Sequence, residues 1–216
     1  MNKKTLLLVE GALMIAMSVA LELVSKMLGL ELPLGGTITI GAMLPVVLFA
    51  YRHGMKWGFA VAAVNSLMQM LISAKTVSLF FLPGDAQLLW WAAVLVCLLD
   101  YVLAYTVLGF AGIAHGKAKN DSLGLLGGAG LALGLRYLMH IISGYIFFGA
   151  WAEWFFTHES YAKIGGWILG SFSGAGLTLV YSIFYNGLFM VPELMITLTL
   201  AVAIGRIKPI VRFGQA

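Results

Sequence analysis

The sequence predicts an all-α, polytopic membrane protein with six transmembrane helices and both termini in the cytoplasm. Three observations predict it: the composition, the lengths of the apolar runs, and the distribution of Lys and Arg between them. Of 216 residues, 61% are hydrophobic and only 10% charged, and the mean hydropathy is +0.97. Soluble domains run near 25% charged and 45–50% apolar. A chain this apolar has too little polar surface to cover itself in water, so lipid is the solvent that fits.

A spanning helix needs about 20 mostly apolar residues, and six segments are candidates within one transmembrane domain, 1–216. The first runs over about 5–28. It follows Met-Asn-Lys-Lys and so mimics a signal peptide, but it is long, holds Glu10 and lacks a convincing cleavage site. The second, 38–51, is short. The tight Arg52-His53-Gly54 turn joins it to the third, 57–73. The fourth covers 86–114 and the fifth 123–150. The sixth, 166–207, is long and contains Asn186-Gly187 and Pro192, which predict a kink or break there.

Lys and Arg set the orientation. Lys3, Lys4, Arg52, Lys56, Lys117, Lys119, Arg206, Lys208 and Arg212 fall on one side, against Lys26, Lys75 and Lys163 on the other. The basic-rich side faces the cytoplasm. This topology accounts for the net charge of +4, so no nucleic-acid partner is expected. Cys97 is alone, and the four histidines lack ligand spacing, so no disulfide within the chain and no metal site is expected. No Gly-rich nucleotide loop with its lysine is visible, so the chain is not expected to use ATP itself. No inverted repeat of the kind common in self-sufficient secondary transporters is visible.

Ionisable groups at bilayer depth are costly and each is a functional-site hypothesis. The chain places Glu10, Asp100, Arg136, His140 and Glu193 there, with Asn65, Gln69 and Asn186. Asp100 sits mid-span in the fourth helix with Trp90, Cys97, Tyr101 and Tyr105 near its face. A carboxylate among aromatic rings suits an organic cation; a structural ion pair with Arg136 is the alternative. On the fifth helix Arg136, His140, Gly144, Phe147, Phe148 and Trp151 form one stripe. There Gly144 opens space for either a ligand ring or a neighbouring helix. The bland alternative makes His140 a satisfied bundle histidine. The sixth helix adds Tyr181, Tyr185 and Asn186, where Asn186-Gly187 is equally readable as a helix distortion. Together the three clusters would line one largely apolar cavity with a few placed polar groups, suited to a flat heteroaromatic cation. The first helix differs: Ala12, Ala16 and Ala20 recur every four residues, a stripe that permits close helix contact, either internal or with a partner subunit.

The order and spacing of several segments carry a resemblance over most of the chain. They are Pro45…Tyr51-Arg52-His53-Gly54, Leu-Leu-Asp-Tyr at 98–101, Arg-Tyr-Leu-Met-His-Ile-Ile-Ser-Gly at 136–144, and Tyr181…Asn186-Gly187. The chain resembles the thiamine-specific S-components of energy-coupling factor (ECF) transporters. The resemblance implies a subunit of the bacterial plasma membrane that binds thiamine from outside as transported ligand, with no cofactor and no catalysis. It implies docking through Ala12, Ala16 and Ala20 onto an ECF membrane coupling subunit that works with two ATPase subunits. It carries substrate contacts to Trp90, Asp100, Tyr101, His140, Gly144, Phe148, Tyr181 and Asn186. Asp100 stands where some members have Glu, Phe148 where some have Trp (with Trp151 one turn on), and Gly35-Gly36 where some have a loop Trp.

On this reading the first loop, 30–37, and the external helix ends form the mouth, with Leu34-Gly35-Gly36 as a lid. The alternatives are an S-component for another small vitamin or a thiamine precursor, an intramembrane hydrolase built on Ser171, Ser173 and His140, and a stand-alone facilitator.

Overall fold

The computed structural model describes residues 2–32 and 36–213, and among these the regular structure is helical. The main helices are α1 (Lys3–Met27), α2 (Leu44–Ile72), α3 (Trp90–Ala114), α4 (Asp121–Phe147), α5 (Ala162–Ser171) and α6 (Gly174–Gly205). Four of them, α1, α3, α4 and α6, are long and apolar enough to cross a membrane.

The burial pattern is inverted relative to a soluble protein. In α1 the buried positions are Glu10, Gly11, Ser18, Glu22 and Ser25, while Leu8, Val9, Leu13, Met17, Leu23 and Val24 are exposed. Polar groups turn inward because hydrocarbon offers them no hydrogen bonds. The buried carboxylate of Glu10 is paired: Arg52 and His53 both reach it, with His53 Nε2 at 2.9 Å.

The second and third sequence segments form one assigned helix with a reversal inside it. Gly54 has φ +81°, outside the helical region. A Cβ on Gly58 would lie 2.6 Å from the Ala50 Cβ, whereas eight residues of unbroken helix would separate them by about 12 Å. The two arms, 44–53 and 55–72, therefore fold back on each other. The second arm packs on the far end of α3 through glycines: a Cβ on Gly109 would meet the Phe59 backbone at 2.7 Å, and on Gly112 the Met55 nitrogen at 2.4 Å. Such small residues let membrane helices approach to backbone contact. α4 begins at an Asn120 cap, whose side chain accepts from the Ser122 and Leu123 amides, and packs along α3 and α6.

Three boundaries differ from the sequence expectation. The segment expected at 38–51 starts its helix at Leu44, and the one expected at 86–114 starts at Trp90. The long last segment is interrupted by extended backbone at Phe172 and Ser173, and then runs unbroken through Asn186-Gly187 and Pro192. Pro192 removes one backbone N–H, a loss that membrane helices tolerate when neighbours satisfy the freed carbonyl.

Candidate functional site

Asp100 is placed by a local irregularity. Residues Cys97–Leu103 of α3 adopt a π-helical turn, a form that is rare and concentrates at functional positions. The carboxylate meets α4 with both oxygens: Oδ1 lies 2.8 Å from His140 Nδ1, and Oδ2 accepts from Ser143 Oγ at 2.7 Å. His140 and Ser143 stand three residues apart and so share one face of α4. The His140 side chain is 10% exposed and that of Asp100 is 21% exposed.

Arg136 does not pair with Asp100. Its Nη2 donates to Tyr105 Oη at 3.0 Å, and its guanidinium lies over the Tyr105 ring, 4.3 Å from the centroid. The buried carboxylates of Glu22 and Glu193 lie within electrostatic reach of it. The ion-pair alternative for Asp100 is therefore not the arrangement found.

α6 closes the group from the other side. Asn186 Nδ2 donates to the His140 carbonyl at 3.2 Å and to the Ser182 carbonyl at 2.9 Å. Ser182 Oγ donates to the Ile141 carbonyl at 2.7 Å. Gly144 makes this crossing possible, since a Cβ there would come within 2.3 Å of Ser182 Oγ and 3.1 Å of Asn186 Nδ2. Of the two openings expected at Gly144, the structure fills the space with the neighbouring helix. His140 Nε2 is buried and has no hydrogen-bond partner among the described residues; the ring meets Phe189 edge-on, with centroids 5.5 Å apart.

The first loop lies against the same ring. Gly36 has φ +84°, and a Cβ there would sit 2.4 Å from Phe189 Cδ1. Thr39 fastens the loop, its amide donating to Glu193 Oε2 at 2.7 Å and its hydroxyl to the other carboxylate oxygen. The Ile40 amide adds a 2.9 Å bond to Ser25 Oγ of α1. Of the expected lid, Leu34 and Gly35 lie outside the described residues.

The structure brings Asp100, His140, Gly144 and Asn186 together, with Tyr101 adjacent in chain. Phe148, at the end of α4, meets Phe80, with centroids 6.0 Å apart. Two expected residues sit elsewhere. Trp90 is 75% exposed at the start of α3, about 15 Å along the axis from Asp100. Tyr181 is packed in an outer aromatic cluster, 5.4 Å from Phe155 and 5.6 Å from Tyr185. Tyr185, rather than Tyr181, is within electrostatic reach of Asp100. Sequence reasoning missed Ser143 and Phe189. Ser143 lay one helical step from His140, but an uncharged serine in an apolar helix reads as packing.

A cavity of about 310 Å³ opens outside this group and is lined by Ser160, Tyr161, Lys163, Ile164 and Phe184. Among its described lining residues the charged one is Lys163, which repels the cation that a buried carboxylate attracts. Ala12, Ala16 and Ala20 all lie on the exposed side of α1. Ser171 and Ser173 are exposed at the α5–α6 break, whereas His140 is buried against Asp100.

Comparison with known proteins identifies the family. Residues 8–154, well over half the chain, match the thiamine transporter protein family. The match takes in Asp100, Tyr101, His140, Ser143, Gly144 and Phe148. Thiamine transporter ThiT of Bacillus subtilis (strain 168) is 29% identical over 205 residues, covering 90% of this chain and 88% of the relative. A solved structure of ThiT from Listeria monocytogenes has the same fold: TM-score 0.65 at 18% identity, covering 98% of this chain and 99% of that one. These relatives are named transporters, a non-enzymatic function, which overturns the hydrolase alternative. The chain is a multi-pass membrane protein and belongs to the thiamine transporter protein family.

Proposed function

We propose that this chain captures thiamine from outside the cell at the Asp100–His140–Asn186 group and hands it inward as the S-component of an ECF importer. The observation that carries the reading is Asp100, a carboxylate inside a membrane bundle that contacts a histidine and a serine instead of the nearby Arg136. A carboxylate neutralised by a guanidinium would be electrically spent; this one, held by an imidazole and a hydroxyl, still offers negative charge to a guest. The aminopyrimidine of thiamine donates to Asp100, His140 Nε2 takes a second polar contact, and Tyr101, Tyr185 and Phe148 supply ring surface. Matching every buried donor and acceptor is what favours this ligand over an apolar one.

The topology that serves this role is six spans, with the two arms of α2 counted separately and both termini in the cytoplasm, as the Lys and Arg distribution favours. The first loop, fastened by Thr39, is the lid. Handover requires a partner, because a tightly held ligand leaves only when another conformation is favoured. The exposed Ala12, Ala16 and Ala20 stripe is the face for a coupling subunit driven by two ATPases. The test is calorimetric titration of thiamine into the purified protein and its Asp100→Ala and His140→Ala variants. Saturable binding that both substitutions weaken is expected. Unchanged affinity in both would remove the two residues from the site.

A further inference from the structure

We infer that Ser143 is a positioning residue that sets the orientation of the Asp100 carboxylate, and thereby the planar N–H pattern the site accepts; this rests on the thiamine reading above. A carboxylate has about four acceptor positions, two on each oxygen. Here each oxygen is engaged once from α4, Oδ1 by His140 and Oδ2 by Ser143 at 2.7 Å. One bond alone would leave the carboxyl plane free to turn about its terminal torsion, which has a broad and shallow profile. Two bonds from one helical face fix it. The positions that remain then point in set directions, one from each oxygen, and they suit an amino group held in the plane of a flat ring, as in an aminopyrimidine. Ser143 has no exposed surface, so its hydroxyl is not shared with solvent.

The same geometry leaves no slack at this contact. Glu at position 100 would carry the carboxylate about 1.5 Å further, one C–C bond, into the space that the Ser143 hydroxyl occupies. Removing that hydroxyl makes room for the longer side chain. The two positions are therefore coupled, and a double-mutant cycle reads the coupling.

Thiamine affinity is measured for wild type, Ser143→Ala, Asp100→Glu and the double variant, with a melting curve and a size-exclusion profile on each. Each single substitution is expected to weaken binding about tenfold, the weight of one hydrogen bond to a charged group. The double variant is expected to bind no more weakly than the worse single, because either change alone already breaks the one Ser143–Asp100 contact, a non-additivity that a serine acting elsewhere would not give. If Ser143→Ala does not fold, Ser143→Cys, with a weaker donor, takes its place and is expected to lose less. A double variant as weak as the product of the two singles, or a silent Ser143→Ala beside a weakened Asp100→Glu, overturns the role of Ser143 while leaving the site reading intact. Wild-type affinity in both singles and in Asp100→Ala overturns the site reading itself.

Discussion

Replacing Asp100 by Asn separates the charge of the site from its shape. The amide keeps the volume and planarity of the carboxylate. Its oxygen still accepts from Ser143 Oγ, now 2.7 Å away. Its nitrogen donates to His140 Nδ1, at 2.8 Å, once the imidazole takes the tautomer that carries its proton on Nε2. Both protein contacts therefore survive, and the melting temperature is expected to stay close to wild type. What is lost is the charge on the acceptor. A hydrogen bond to a charged group contributes about 1.5–3 kcal/mol, against about 1 kcal/mol for a neutral one. The tautomer shift also turns Nε2 into a donor and removes it as an acceptor. Together these remove about 1–3 kcal/mol of ligand binding, or a weakening of about 5- to 150-fold. Asp100→Ala behaves differently, since it leaves the Ser143 hydroxyl and His140 Nδ1 buried without a partner, and it lowers both affinity and melting temperature. The assay is thiamine calorimetry beside differential scanning fluorimetry. An Asp100→Asn protein with wild-type affinity would refute the argument, because the charge would then contribute nothing.

Three further substitutions test separate parts of the account. Thr39→Val keeps the loop amide on Glu193 but removes the hydroxyl bond; thiamine dissociation, followed by stopped-flow fluorescence, is expected to quicken about tenfold with little change in association. Gly144→Ala drives a methyl group to 2.3 Å from Ser182 Oγ. It is expected to part α4 from α6 at a cost of about 1–3 kcal/mol, seen as a lower melting temperature and at least tenfold weaker binding. Ala16→Trp adds bulk on the exposed face of α1; thiamine binding by the purified chain is expected to be unchanged, while uptake by cells carrying the full transporter falls to background.

The sequence made the membrane class and most of the site legible for one reason: in hydrocarbon, polar groups are few and costly, so each one found is informative. Asp100, His140 and Asn186 were identifiable on three separate segments, and the structure brings them within hydrogen-bonding distance of one another's helices. The polar face of α1 was less visible, because Ser18 and Ser25 carry no charge and Glu22 lies near the helix end. Two kinds of error have physical causes. The break in the last segment was expected at Asn186-Gly187 and Pro192 because proline disrupts helices in water. In a bundle the surrounding helices absorb that loss, and the chain turns instead at Phe172-Ser173, where no proline marks it. Trp90, Tyr101 and Tyr105 were placed near Asp100 by helical spacing, which assumes a regular helix. The π-helical turn at Cys97–Leu103 changes that spacing, and Trp90 is left exposed at the start of α3. Tyr181 and Tyr185 are one turn apart on one face and both pack against Phe155, so spacing alone could not choose between them.

A crystal structure of the protein grown with thiamine tests the central claim most directly, with the ligand sulfur located by its anomalous signal. The account predicts the aminopyrimidine within about 3.2 Å of an Asp100 oxygen, with Ser143 and His140 still holding the carboxylate and the first loop closed over Phe189. Ligand density confined to the outer cavity between Tyr161, Lys163 and Phe184, with nothing beside Asp100, would contradict it.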